Sequence, residues 1–337
     1  MFGITLQIFI SLVYILSGLL KLQDPVGTGL IVEAYFRFIH LNDFMGYAKV
    51  LGVLLGFVET VIGLAVFCGI WQKVVRWMLV AMQSVFTVIS LILLVRNPEM
   101  HCGCFGEAIH LTHLQTFIKN IILMAMVLHA CFSCRMSRRK EVWKHYTFGA
   151  SIVFVAAITL YSWFNLPLID FTDYDKGTKL LSQAGYRMLP DSEKEDCMPL
   201  PMLSPEDNLL PDFSKGKWAI ISVYDQLDWQ VITTMHAELI RQGMNLMILI
   251  TTDISENDID PKGYENDIFL TDRTTALSLN RANGGVTLLD DQIIIKKSTM
   301  CYLINLKFYY HEKDFVYYFN YNACCSGGTF ECQSSSI

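Results

Sequence analysis

Two cysteines stand one residue apart in Cys102-Gly103-Cys104-Phe105-Gly106, between one long apolar run and the next. A disulfide within Cys-Gly-Cys closes a tight ring, and Gly103 supplies the backbone freedom that such a ring demands. Ring strain makes a disulfide easier to reduce, which suits exchange rather than bracing. As a permanent staple the bond would close almost no loop, so the chain-entropy gain expected of a structural disulfide is small. Cys102 and Cys104 are therefore the candidate catalytic pair for thiol–disulfide chemistry. Metal ligation and a purely structural loop are the alternatives for the same residues, and no set of four ligands points to a metal.

Three further polar residues lie where they need a reason. Glu59 falls within the apolar run 46–70, and Lys119 and Asn120 fall within 111–133. An isolated charge in the middle of a membrane helix costs about 2.5–3.5 kcal/mol on insertion scales. Glu59 and Lys119 could pair as a salt bridge holding two helices together. They could instead form a proton or quinone-headgroup site beneath the cysteines, with Gln83 and His113 joining either network. The other cysteines carry weaker signals. Cys68 reads as a small core residue. Cys131 and Cys134 form a Cys-x-x-Cys beside Arg135, where positive charge favours a thiolate, but no strand precedes it as a thioredoxin motif requires. Cys197 lies in a Pro- and acid-rich stretch. Cys301, Cys324, Cys325 and Cys332 suit ordinary disulfides whose pairing the sequence leaves open.

The elements that position these residues belong to two solvents. The chain has 337 residues, 53% hydrophobic and 17% charged, against about 25% charged in an average soluble domain. Almost all long apolar runs precede Leu168, so the net charge of −6 belongs to the second half. Nothing is basic enough for nucleic acid. Five segments, 4–22, 46–70, 74–95, 111–133 and 148–164, approach the length that crosses a bilayer. The first lacks a basic leader and a clear cleavage site, so it reads as a retained helix. Lys73 and Arg76 in one loop, and Arg135, Arg138, Arg139, Lys140 and Lys144 in another, place those loops in the cytoplasm. The N-terminus is then inside, while Cys102, Cys104 and everything after the fifth segment face the periplasm across the inner membrane. That compartment permits disulfides.

The landmarks Ser17-Gly18, Lys21-x-x-Asp24-Pro25, Tyr35, Glu59 and Cys102-Gly103-Cys104-Phe105-Gly106, in that order, resemble those of the MauE and DoxX-like redox-associated membrane proteins. The resemblance covers about the first 135 residues and implies a four-helix membrane module with thiol–disulfide chemistry at its outer face. Residues 166–171 are similar to the connector of two-part Bacteroidetes-type proteins, in which such a module precedes an extracytoplasmic thioredoxin-like domain. Alternation and β-branching support strands at 217–224, 245–252, 268–271, 286–289 and 292–297, with helices at 229–242 and 273–281. The expected site after the first of these strands reads Asp225-Gln226-Leu227-Asp228 and has no cysteine. A thioredoxin-like fold without its dithiol points to binding rather than oxidoreduction.

The expected organisation is thus a membrane α-helical bundle at 1–135, a basic cytoplasmic loop and fifth transmembrane helix at 136–168, and an extracytoplasmic linker at 169–210. A degenerate α/β thioredoxin-like domain at 211–298 and a Cys- and aromatic-rich tail at 299–337 follow. The expected function is a membrane thiol–disulfide redox component. It exchanges with an extracytoplasmic thiol protein or client and passes electrons to or from a membrane quinone held near Glu59 and Lys119. A non-enzymatic assembly or client-docking factor is the alternative. A solute transporter is disfavoured by five segments with no internal repeat.

Overall fold

The computed structural model describes residues 2–98, 100, 102–109, 111–133, 142–190, 194, 197–203, 211–214, 216–225, 229–241, 243–254 and 267–299. Helices α1 (Phe2–Gln23), α2 (Pro25–Phe38), α3 (Ala48–Cys68), α4 (Gln72–Arg96), α5 (His113–Ser133) and α6 (Val142–Phe164) build the N-terminal half. A 3-10 turn at Asn42–Tyr47 leads into α3, and a short strand, β1 (Cys104–Glu107), lies between α4 and α5. Five of these helical segments are long and apolar enough to cross a membrane. Their outward residues, such as Leu12, Leu16, Val88, Val95, Val153 and Leu160, are exposed and apolar, as a lipid-facing surface requires.

Helix α2 is the element that apolar length did not reveal. It has only 14 residues, too few to span a bilayer, and its start is set by local chemistry. Pro25 occupies the first turn, and the Asp24 side chain caps the helix by accepting from the Gly27 N–H. Both are ordinary helix-start signals. Helix α6 starts six residues before the expected 148, at Val142. Close packing of α1 on α3 depends on missing side chains. A Cβ on Gly18 would lie 2.5 Å from the Gly56 carbonyl oxygen and 2.7 Å from the Thr60 nitrogen, so the two backbones approach as small residues allow in membrane helices.

The second half is a seven-stranded mixed sheet. Its strands are β2 (Lys179–Ser182), β3 (Cys197–Leu200), β4 (Lys217–Val223), β5 (Asn245–Thr251), β6 (Ile268–Thr271), β7 (Gly285–Asp290) and β8 (Ile293–Ser298). They lie in the order β3-β2-β8-β7-β4-β5-β6. Strands β4, β5 and β6 are mutually parallel, and β7 runs antiparallel to both β4 and β8. Helices α7 (Gln183–Met188), α8 (Trp229–Arg241) and α9 (Arg273–Leu279) complete the domain. Side chains of the central strands alternate between two cores. Ala219, Ile221, Val223, Ile248 and Ile250 enter one, while Ile220, Met247 and Leu249 enter the other. Burial on both faces explains why these strands read as continuous apolar runs.

The five strands and two helices expected from 217 to 297 are all present, within one or two residues at each end. Strands β2 and β3 fall inside the stretch read as linker, so the sheet starts well before residue 211. Cys197 is correspondingly in a strand and buried, which removes it as a freely accessible linker thiol. The Cys134 half of the Cys-x-x-Cys, residues 226–228, and the tail cysteines Cys301, Cys324, Cys325 and Cys332 lie outside the described residues.

Specific polar contacts join the two halves. Arg281, 5% exposed, places its guanidinium 3.0 Å from Asp24, the cap of α2. Gln23 donates to the Ile169 carbonyl at 2.8 Å, and Lys297 pairs with Asp170. Burial lowers the Arg281 and Lys297 pKa values, and the partner aspartates oppose that shift. Burial likewise raises the Glu33 carboxyl on α2, against the pull of Arg273 from the sheet domain and of Arg37.

Candidate functional site

The Cys-Gly-Cys loop lies across the ends of α1 and α2, and its shape follows from Gly103. That residue has φ of 65°, and a Cβ there would also lie 2.4 Å from the Ile31 side chain of α2. Both conditions exclude larger residues. The loop brings the Cys102 and Cys104 sulfurs to 2.9 Å as a hydrogen-bonded thiol pair. From α2, the Tyr35 hydroxyl donates to the Cys102 carbonyl at 2.7 Å and lies 3.8 Å from the Cys102 sulfur.

Beneath the loop is a buried ion pair, although not the expected one. Glu59 pairs with Lys21 at 2.8 Å, and the two side chains are 1% and 5% exposed. The expected partner Lys119 lies elsewhere, with its ammonium 4.7 Å from the centre of the Phe105 ring, where its charge favours the Cys104 thiolate. Opposite charges at similar depth made Lys119 a plausible partner. The glycine-mediated contact of α1 with α3 makes Lys21 the actual one.

The polar count shows why this pair survives burial. An ammonium has three N–H donors, and Lys21 directs them to Glu59, to the Ser17 hydroxyl at 2.9 Å and to the Cys104 carbonyl at 2.7 Å. Ser17 in turn can donate to Glu59 Oε2 at 2.7 Å. Ser17 and Lys21 are four residues apart on α1, so they occupy one helix face. Breaking such a pair by removing one partner typically costs about 3–5 kcal/mol, although the intact pair adds little net stability. The geometry therefore uses the charges chiefly to hold the Cys104 backbone in place.

Next to this cluster is a cavity of about 140 Å³, with both cysteines, Phe86, Phe105, Lys119 and Leu123 in its wall. Its wall is mainly apolar. At its deeper end the Tyr14 hydroxyl donates to Gln83 at 2.9 Å, Gln83 donates to the Asn120 carbonyl, and the Asn120 amide donates to the Phe86 carbonyl. His113 has a different task, with its Nε2 3.0 Å from the Pro98 carbonyl at the start of α5.

The two thiols are electrostatically unequal. A hydrogen bond from Cys102, aided by the positive charges of Lys119 and Lys21, outweighs burial and brings the Cys104 thiol down to about 6. Cys102 shifts upward, because its proton is shared with Cys104 and burial disfavours its charge. Burial also raises the Tyr35 phenol, so it remains an O–H donor. The pair can therefore hold one thiolate beside one thiol, the arrangement from which exchange proceeds.

Of the residues singled out in the sequence, the structure brings Cys102, Cys104, Glu59 and Lys119 around one cavity. Ser17, Lys21 and Tyr35 had entered only as family landmarks and Gln83 only as a possible member of the Glu59 and Lys119 network, while Tyr14 was missed; helix packing gives them their contacts. Among the described residues no cluster could hold a metal ion. The chain is a multi-pass membrane protein, and the site belongs to its N-terminal module. Residues 1–133 match the family model of methylamine utilisation protein MauE, so this module is similar to that family. Searches of curated proteins and of solved structures found no match.

Proposed function

We propose that this protein is a membrane thiol–disulfide redox component that acts through Cys102 and Cys104 at the extracytoplasmic face and exchanges with an external thiol protein. The observation that carries this reading is the paired sulfurs, 2.9 Å apart, with Lys119 beside Cys104. The orientation follows the basic loops, which put the N-terminus in the cytoplasm and the sheet domain outside. The β4-α8-β5 unit followed by α9 and the β7–β8 hairpin supports a thioredoxin-like reading of that domain. Its expected dithiol position carries no cysteine.

Thiol trapping in intact cells with a membrane-impermeant maleimide tests the reading. Labelling of Cys102 and Cys104 that requires prior mild reduction is expected. Exchange with a client should disappear in both Cys102→Ser and Cys104→Ser, and full exchange in both single variants would refute the assignment. A non-enzymatic docking role has one observation in its favour, the dithiol-free sheet domain fixed to the membrane module through Arg281 and Asp24. Equal client recovery by the double Cys-to-Ser variant would favour that alternative.

A further inference from the structure

We propose that the cavity beneath Cys102 and Cys104 holds the ring of a lipid-soluble quinone, which takes the electron pair released when the thiols join. This inference rests on the thiol–disulfide reading and names its redox partner. Three features converge on it. Both cysteines belong to the cavity wall. The volume of about 140 Å³ is close to that of an engineered apolar cavity of about 150 Å³ that binds benzene. It suits one six-membered ring and is too small for a porphyrin or the fused rings of a flavin. The wall is largely apolar, with Phe86 and Phe105 near the ring volume.

The cavity wall also carries N–H donors suited to quinone oxygens, from Lys119, Gln83 and Asn120. Lys119 stands at the cysteine end, beside Phe105 and Cys104. Gln83 and Asn120 stand at the deeper end, and each side-chain amide has a second N–H beyond the one in its recorded bond. Glu59 is not such an anchor, because Lys21 and Ser17 occupy its carboxylate. The structure thus moves the ring site away from Glu59 and towards Lys119, Asn120 and Gln83.

The reaction balances without another reactant. Two S–H bonds break and one S–S bond forms, so the thiols lose two electrons and two protons. The quinone gains both electrons, and its two oxygens take both protons to give a hydroquinone. Lys119, close to Cys104, is positioned to relay a proton towards the nearer oxygen. The disulfide is then available to an external thiol protein, whose oxidation restores the dithiol.

The full chain in lipid nanodiscs, reduced and freed of reductant, is mixed with decylubiquinone while quinone and protein thiols are measured together. Two thiols should disappear for each quinone reduced, and the double Cys-to-Ser variant should be inactive. Leu123→Trp fills the cavity and is expected to slow reduction about a hundredfold, as for reacting groups held out of place by about 1 Å. Ile122→Trp, on the exposed face of the same helix and outside the cavity wall, should retain reduction. Reduction by the wild type no faster than by the double variant overturns the proposal, as does equal reduction by the Trp variant.

A second measurement does not depend on the folding of the Trp variant. An azido-quinone should photolabel α4 and α5 segments around Phe86 and Leu123 in the double Cys-to-Ser protein, and excess decylubiquinone should suppress the label. Label confined to other segments overturns the site. Exchange of the oxidised wild type with reduced glutathione separates the two readings. If exchange persists without quinone reduction, the thiol function stands and the quinone site falls; if neither occurs, both fall.

Discussion

The membrane module and the sheet domain distribute polarity in opposite ways. The sheet domain fills both cores with aliphatic side chains such as Ile220, Ile248 and Leu249 and places its charged links at the boundary with the module. The membrane module exposes aliphatic side chains and seals Lys21, Glu59, Gln83 and Asn120 inside. The difference teaches where chemistry can reside. Water would weaken the charges of an exposed site, whereas a low-dielectric interior strengthens each properly paired one. Such an interior also makes every lost partner expensive.

The largest expected contrast comes from splitting the buried pair. Lys21→Met should destabilise the module by about 3–5 kcal/mol, the usual cost of leaving one buried charge unpaired, measured by thermal unfolding in detergent. Lys21→Met combined with Glu59→Leu should recover much of that loss, but Cys104 reactivity should remain altered because its carbonyl anchor is gone. A double variant as unstable as the single would remove electrostatics from the comparison. In the sheet domain the corresponding injury is apolar. Ile248→Ala should cost about 2–5 kcal/mol through transfer and cavity terms, while leaving quinone reduction by the membrane module intact.

A smaller effect is expected at the boundary. Arg281→Met should leave both halves folded but loosen their attachment, seen as faster limited proteolysis after residue 164. Unchanged cleavage would mean that other contacts suffice. The subtlest test is a pH profile. Because the Cys104 thiol is lowered to about 6, it is thiolate above that pH and neutral below it. Iodoacetamide alkylation of Cys104 in the reduced protein should therefore rise through about pH 6 and level off above. Lys119→Met should move the rise to higher pH by removing a positive charge. A wild-type rise near the ordinary thiol range, about 8.5, would contradict the asymmetry between the two cysteines.

The sequence disclosed whatever depends on long apolar runs or on strict alternation. That covers the five membrane-length helices and the central strands from Lys217 to Ser298. It concealed what depends on contacts between distant segments. Helix α2 is short and glycine-containing, and it rests on the Asp24 cap and on close packing against α3, where Gly29 meets Lys49 and Thr28 meets Gly52. Strands β2 and β3 have four residues each, with Pro199 interrupting the second, so alternation had no length in which to appear. The cysteines were recognisable from spacing alone. The ion pair was not, because depth in the membrane says nothing about which helices touch. Gly18 and Gly56 held that information, as sites where a side chain would collide with the opposite backbone.

Helix α2 also has a mechanical meaning. Eleven residues separate Asp24 from Tyr35, a rise of about 16 Å along a helix. One end is gripped by Arg281 of the sheet domain, and the other touches the backbone of Cys102. A rod of this kind behaves as a tie bar. If formation of the disulfide displaces Tyr35, the strain appears at Arg281, and a ligand that pulls on the outer domain bears on the thiols by the same free energy, as linkage requires. A domain with no cysteine at its expected dithiol position would then still act on Cys102 and Cys104 through α2.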